Sequence, residues 1–250
     1  MPNPKHTPYE KVLVDKRSPF ALSESFKTIR TNILYTGKNE KCPVYGITSS
    51  FGGSGKSVII ANLAQSFAQL GKKTILIDCD LRRPTQHKIF SVSNATGASE
   101  FLAGLDNKLN NLITNTFVEN LDILTSGRIP PNPAELLSSE NMEILISELK
   151  NRYDVIFIDF PPITIVSDCI VPTKLVTGYI FAVRCGYDDS RQVSDAIESM
   201  RKVDANIIGI VLNDVNLKTG GYFYSKYRYG YSYKYKYGYG YGYGYSNKNK

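Results

Sequence analysis

Six short apolar runs, "VYGIT", "TILIDCD", "LDILTS", "VIFIDF", "YIFAV" and "IIGIVL", recur from Pro43 onward. Each is rich in β-branched residues and apolar at successive positions, so both faces of the strand it predicts must be covered. Helical stretches separate the runs. In "SVIIANLAQSFAQLG", Ile60, Leu63, Ala64 and Phe67 fall on one helix face and Gly71 supplies a stop. The alternation predicts an α/β fold with a doubly wound, mostly parallel sheet. Ligands of such sheets bind at the carboxyl ends of the strands, so chemistry is expected in the loops that follow the runs.

The chain divides by composition into residues 1–40, 41–214 and 215–250. The first twenty residues are polar and proline-rich, an arm. After them "SESFKTIRTNILY" spaces Phe26, Ile29 and Ile33 as a helix does, with Ser23 as its cap. The middle segment is long enough for a domain with its own core. The last segment is low-complexity, with 12 of the 18 tyrosines between Tyr222 and Tyr245 and mostly Gly and Lys between them. It has too little to bury and reads as a disordered tail.

Charge follows the same boundary. Residues 215–250 hold Lys218, Lys226, Arg228, Lys234, Lys236, Lys248 and Lys250 and no acid. Taking those seven from the 30 basic residues leaves 23, equal to the 23 acidic ones, so the whole net charge of +7 sits on the tail. A neutral body argues against nucleic acid as a partner. No apolar run approaches the roughly 18 residues that span a bilayer. The N-terminal "MPNPKHTPYEKVLVDKRSP" has no apolar signal core. Cys42, Cys79, Cys169 and Cys185 form no C-x-x-C pair, and Cys79 and Cys185 read as buried free thiols. Cytoplasm fits these features. His6 and His87 lack metal-ligand partners at useful spacing and read as surface residues.

Three strand ends carry chemistry. "ITSSFGGSGKSVIIANLA" runs from strand through glycine loop into helix. Successive N–H groups of such a loop cradle phosphate, and the helix N-terminus adds partial positive charge. Gly52, Gly53, Ser54, Gly55, Lys56, Ser57 and Val58 are the expected nucleotide-binding residues. Lys56 would reach the β- and γ-phosphates and Ser57 would bind Mg²⁺. Ser50 stands where the strict pattern has glycine. "TILIDCDLRRP" ends a strand in Asp78 and Asp80, which alternation would place on one face. Paired carboxylates there suit Mg²⁺ and activation of a nucleophile, although D-x-D at a strand end is also common turn chemistry. "YDVIFIDFPP" ends in Asp159, the position of an acid that holds Mg²⁺ through water. Asn213 closes the last run as either a base-reading amide or a turn residue. Asp168 and Arg184 are candidate supporting groups.

Together "SSFGGSGKS", "ILIDCDLRRP" and "VIFIDFPP" resemble the Walker A, A′ and B motifs of bacterial tyrosine kinases, closest to the cytosolic kinases of capsular and exopolysaccharide synthesis. The resemblance spans residues 18–245 and includes "SPFALSESFKTIRTNI", "SGRIPPNPAELLSS" and the tyrosine cluster. It implies a P-loop kinase using ATP and Mg²⁺, with Ser57, Asp78 and Asp159 holding the metal. Lys56, Asp78, Asp80 and Asp159 are then catalytic, Asp78 or Asp80 orienting and deprotonating the phenol. The acceptors would be Tyr222, Tyr224, Tyr227, Tyr229, Tyr231, Tyr233, Tyr235, Tyr237, Tyr239, Tyr241, Tyr243 and Tyr245. Also implied are a ring-like homo-oligomer, a membrane adaptor that recruits the chain to the inner face of the membrane, and a cognate tyrosine phosphatase.

Departures from the family pattern are specific. Gly52 replaces a frequent Pro, and Phe160 a frequent Thr or Ser. The family's E-x-x-R-x-x-R subunit contact reads Glu24, Lys27, Arg30, where Lys lacks the bidentate fork. Phe51 stands at the signature lysine of partition and cell-division ATPases, which argues against that branch. Two other classes stay open: a non-kinase ATPase that switches a partner by nucleotide state, and a binder whose Tyr/Lys tail stacks on single strands. Label retained on tyrosine from ATP separates the kinase from the first, and a salt-sensitive gel shift that depends on the tail would support the second.

Overall fold

The computed structural model describes residues 12–37, 39–163 and 172–215. Residues 1–11, Asp168, Cys169 and the tail tyrosines Tyr222–Tyr245 lie outside them. Within the compact unit Met1–Asn213, the elements run α1 (Phe20–Thr36), β1 (Val44–Ser49), α2 (Lys56–Ala68), β2 (Thr74–Asp78), α3 (Gln86–Ile89), α4 (Ala98–Leu102), α5 (Leu109–Leu112), β3 (Ile113–Asn115), β4 (Leu121–Leu124), α6 (Pro133–Leu137), α7 (Glu140–Lys150), β5 (Val155–Asp159), β6 (Gly178–Arg184), α8 (Ser190–Arg201) and β7 (Ile207–Asn213).

All six apolar runs form strands of one seven-stranded sheet, ordered β3-β4-β2-β5-β1-β6-β7. Its pairs are parallel except β3 with β4. Three-residue β3, "ITN", is too short and polar to show an apolar pattern. The fold class is the expected α/β parallel sheet, with α2 and Ile33 of α1 in the core on one face and α4, α7 and α8 in the core on the other. Strands β1, β2 and β5 are buried throughout. They lie side by side at the centre of the order, so the phosphate loop after β1 meets the acids after β2 and β5.

Several local expectations are corrected. Run "IIGIVL" is not covered on both faces: β7 is an edge strand, with Ile210 51% and Leu212 60% exposed. Helix α1 starts at Phe20, not at Ser23. The fixed φ of Pro19 suits the position before a helix, and its carbonyl accepts from Leu22 N and Ser23 N. Helix α2 is buried around nearly its whole circumference rather than on one face. Residues 12–14 cover its outer side: Asn62 Oδ1 accepts from Val14 N at 2.7 Å and Asn62 Nδ2 donates to Val12 O at 2.9 Å. Cys42 and Cys79 are buried, Cys185 half-buried. His87 is half-buried and its Nδ1 has no partner among the described residues, so burial lowers its basicity.

Phe160 finds its explanation in the core. Its ring is fully buried and lies 5.8 Å from that of Tyr179. A Cβ on Gly46 would come within 2.8 Å of the Phe160 ring. The large side chain is thus accommodated by the absence of one on β1. Gly46→Ala is expected to destabilise the protein by about 1–3 kcal/mol through overpacking, and Gly46→Ala with Phe160→Thr to recover part of that loss. Urea unfolding midpoints measure both.

Candidate active site at the carboxyl edge of the sheet

The chain between β1 and α2 turns tightly enough to present its amides because two glycines adopt positive φ, Gly53 at 91° and Gly55 at 88°. Gly52 and Gly53 are exposed, Ser54 buried, and Gly55 ends the loop where α2 begins. The first N–H groups of α2 belong to Lys56, Ser57 and Val58, free of intrahelical partners as at any helix start. A cradle of amides at the N-terminus of a thirteen-residue helix is suited to an anion.

Lys56 does not extend freely into solvent. It is 7% exposed, and its Nζ donates to Asp80 Oδ2 at 2.9 Å and to Asp159 Oδ1 at 3.0 Å. Ser57 Oγ is 3.3 Å from the same nitrogen. Burial alone would lower the Lys56 pKa; the charges of Asp159 and Asp80 outweigh it and hold the ammonium above its ordinary value.

The two acids after β2 differ. The strand ends at Asp78, so strand alternation does not extend to Asp80. Asp78 Oδ1 accepts Asp80 N at 3.2 Å, and Oδ2 accepts Thr85 N and Gln86 N, each at 2.9 Å. Asp78 is therefore turn chemistry and site chemistry together. Complete burial, then the neighbouring Asp159 charge, push its carboxyl well above the usual range. Asp80 is 5% exposed and holds Lys56 and Arg83 N, the latter at 3.0 Å. Asp159 stands opposite Asp78 in the β2–β5 register and is fully buried.

Two carboxylates thus share one ammonium, with Asp78 buried beside them, an excess of hard oxygen donors over cations. No group of three Asp, Glu, His or Cys among the described residues forms a ready-made metal cage. Mg²⁺ takes one or two protein oxygens and completes its shell with waters and phosphate, and the Ser57 hydroxyl and Asp159 carboxylate beside the loop are oxygens that could serve it.

Asn213, the last residue of β7, lies against the loop: its Nδ2 donates to Ser54 O at 3.1 Å, and a Cβ on Gly55 would fall on that nitrogen. Arg184 closes β6 with its guanidinium carbon 5.1 Å from the centre of the Tyr187 ring.

Three residues that the sequence reading did not single out also belong here. Asp188 accepts Ser54 Oγ at 3.1 Å and Arg184 N at 2.7 Å. Tyr187 stands beside Gly53. Gln86 donates through Nε2 to Asp159 Oδ2 at 2.8 Å and to Ser57 O at 3.0 Å. Their only signal was position after a strand end: "CGYDDS" after β6 and "RRPTQ" after β2.

Glu24, Lys27 and Arg30 of α1 already have partners within the chain. Lys27 Nζ pairs with Glu24 Oε1 at 2.7 Å, while half-buried Arg30 donates through Nη1 to Ser66 O of α2 at 3.0 Å.

A family model described as an AAA domain matches residues 44–205. Tyrosine-protein kinase YwqD of Bacillus subtilis (strain 168) is 37% identical over 207 residues, 82% of this chain and 87% of that protein. Tyrosine-protein kinase CpsD of Streptococcus agalactiae serotype III (strain NEM316) is 36% identical over 200 residues, 80% of this chain and 85% of that one. Among solved structures, the chimerical protein CapA2B2 matches with a TM-score of 0.74 at 37% identity, covering 80% of this chain and 86% of the other. The kinase domain of Escherichia coli tyrosine kinase ETK matches with a TM-score of 0.75 at 32% identity, covering 89% and 80%. The septum site-determining protein MinD from Pyrococcus horikoshii OT3, complexed with Mg-ADP, matches with a TM-score of 0.57 at 25% identity, covering 68% and 70%.

Proposed function

The chain belongs to the bacterial tyrosine kinases built on a P-loop fold, and from that we propose that it transfers the γ-phosphoryl group of ATP to the tyrosines of its own C-terminal tail, in a neighbouring copy. As a protein-tyrosine kinase it needs an acceptor phenol; the tail offers 12 tyrosines on a basic, Gly-interrupted segment. The observation that carries the mechanism is Lys56 held between Asp80 and Asp159 beside the phosphate loop.

In this reading the amides from Gly52 to Val58 take the phosphates, and Lys56 moves part of its hydrogen bonding from the acids to the β- and γ-phosphates. Ser57 and Asp159 would hold Mg²⁺, with Asp78 behind them. The metal supplies charge neutralisation on the phosphates. A phenol has a pKa near 10, so at neutral pH its proton needs an acceptor. Asp80 fits that role better than Asp78, because three backbone N–H groups already engage the Asp78 carboxylate. The phenol oxygen attacks phosphorus, ADP leaves, and the proton passes to Asp80. Asn213 and Asp188 fix Ser54 and hence the loop. Mg-ADP bound by a MinD of the same fold supports the ligand choice.

The same reading places the chain in capsular or exopolysaccharide synthesis, recruited to the inner membrane face by an adaptor, with a phosphatase reversing the reaction. No helix among the described residues is long and apolar enough to cross a membrane. The decisive experiment is incubation with γ-labelled ATP and Mg²⁺ followed by phosphoamino-acid analysis. Label on tail tyrosine is expected; ATP hydrolysis without label on tyrosine would leave only a nucleotide switch.

Self-association through α1 has its own test. Glu24→Ala with Lys27→Ala is expected to shift the particle measured by light scattering to a smaller mass. Arg30 is best left intact, since its bond to Ser66 O ties α1 to α2 and its loss would confuse assembly with folding. An unchanged mass removes these residues from the interface.

A further inference from the structure

We propose that Gln86 is a positioning residue for the cation of this site: it sets the orientation of Asp159 and turns its side-chain oxygen to a water bound by that cation. The proposal rests on the reading of the site as a Mg²⁺–nucleotide site.

The side chain of Gln86 is fully buried. Both groups that its Nε2 touches, Ser57 O and Asp159 Oδ2, accept hydrogen bonds and cannot donate. That fixes the amide: the NH₂ must face them, and a flipped amide would set oxygen against oxygen. Oε1 is thereby committed to the remaining direction, where it accepts no hydrogen bond from any described residue. A buried amide oxygen without a donor costs about 1–3 kcal/mol, and such a group is expected to meet a ligand, ion or water.

What lies around it indicates which. One residue spans the site's three structural parts: the backbone N–H of Gln86 holds Asp78 Oδ2 at 2.9 Å, and its side chain holds the β5 acid Asp159 and the carbonyl of Ser57 on α2. Asp159 is gripped on both oxygens, by Lys56 on Oδ1 and Gln86 on Oδ2. With the two ends tied, the plane of the carboxylate is set before any ligand arrives. An acceptor without a donor, next to a hydroxyl and carboxylates in excess of cations, fits the hydration shell of Mg²⁺, whose waters donate but do not accept. Residues that hold metal ligands in this way typically govern affinity for the metal by 10–100-fold.

The test uses the full chain and a fluorescent ADP analogue, titrated without and with increasing Mg²⁺, for wild type, Gln86→Met and Gln86→Ala. Methionine keeps the volume and removes both polar atoms; alanine leaves room for water to satisfy Ser57 O and Asp159, and stands in where the methionine variant does not fold. The expected result is ADP affinity within about twofold of wild type in the absence of Mg²⁺, and a half-saturating Mg²⁺ concentration raised about 10–100-fold. A purely structural role would instead lower ADP affinity equally with and without Mg²⁺, and that result overturns the proposal. So does a Mg²⁺ half-point within twofold of wild type in a folded variant. Wild-type binding of ADP that does not respond to Mg²⁺ at all would fail the underlying reading of the site, and the assignment of Gln86 with it.

Discussion

Lys56→Met is expected to abolish tyrosine phosphorylation and also to weaken the fold. Loss of one preorganised donor to a developing charge costs about 10²–10³-fold in rate, and the proposed role of Lys56 is to serve the phosphates directly. Sequence alone suggests a side chain facing ligand, whose removal spares the fold. The structure shows otherwise: the ammonium is buried between Asp80 and Asp159. Removing one partner of a buried ion pair costs about 3–5 kcal/mol. The deficit has a pH signature. Burial and the Asp159 charge already raise the Asp78 carboxyl, and the Lys56 charge offsets part of that; without the ammonium its folded pKa rises further above the unfolded one. Stability contributed by a raised carboxyl is present below the unfolded pKa, near 4, and is lost as pH rises through the folded value. The gap between variant and wild type should therefore be narrower near pH 5 and wider near pH 9, above the value of about 8 at which wild-type Asp78 ionises. Urea midpoints at both pH values measure it. A deficit independent of pH would mean that Lys56 does not neutralise these acids.

Replacement of all 12 tail tyrosines, Tyr222 to Tyr245, by phenylalanine is the second large effect. Self-phosphorylation should fall to background while a synthetic tail peptide is still phosphorylated at the wild-type rate. Mixed with the inactive Lys56→Met chain, the phenylalanine variant should label the tail of that partner, as the proposed transfer between copies requires. Mass spectrometry distinguishes the two chains. Persistent label on the phenylalanine variant would place the main acceptor in the body, and failure to label the Lys56→Met tail would make transfer intramolecular. Each phosphate adds about −1.5 to −2 charge, so roughly four or five would neutralise the tail's seven cations.

How much of this was legible in the chain depends on the range of the interaction. Apolar runs and intervening helices are set by local patterns, so every run became a strand and the strand-end acids and the glycine loop could be named in advance. Edge and centre were not legible: "IIGIVL" has the composition of a buried strand, and only its place beside β6 alone leaves Ile210 and Leu212 exposed. The same holds for Arg30, whose bond to Ser66 O of α2, 36 positions away, no local pattern announces.

The sequence by itself determined the α/β class and the loop with its lysine, because backbone propensity and glycine conformations act within a few residues. It also determined the acids at strand ends and the composition of the tail. Tertiary structure decided what those residues do to one another. Lys56, Asp80 and Asp159 are separated by 24 and 103 positions from the lysine, and only the sheet order β2-β5-β1 brings them within hydrogen-bond reach. Gln86 shows the rule most plainly. An amide has no pattern of its own in a sequence; its role arises from burial and from which acceptors it meets, and both are properties of the packed site.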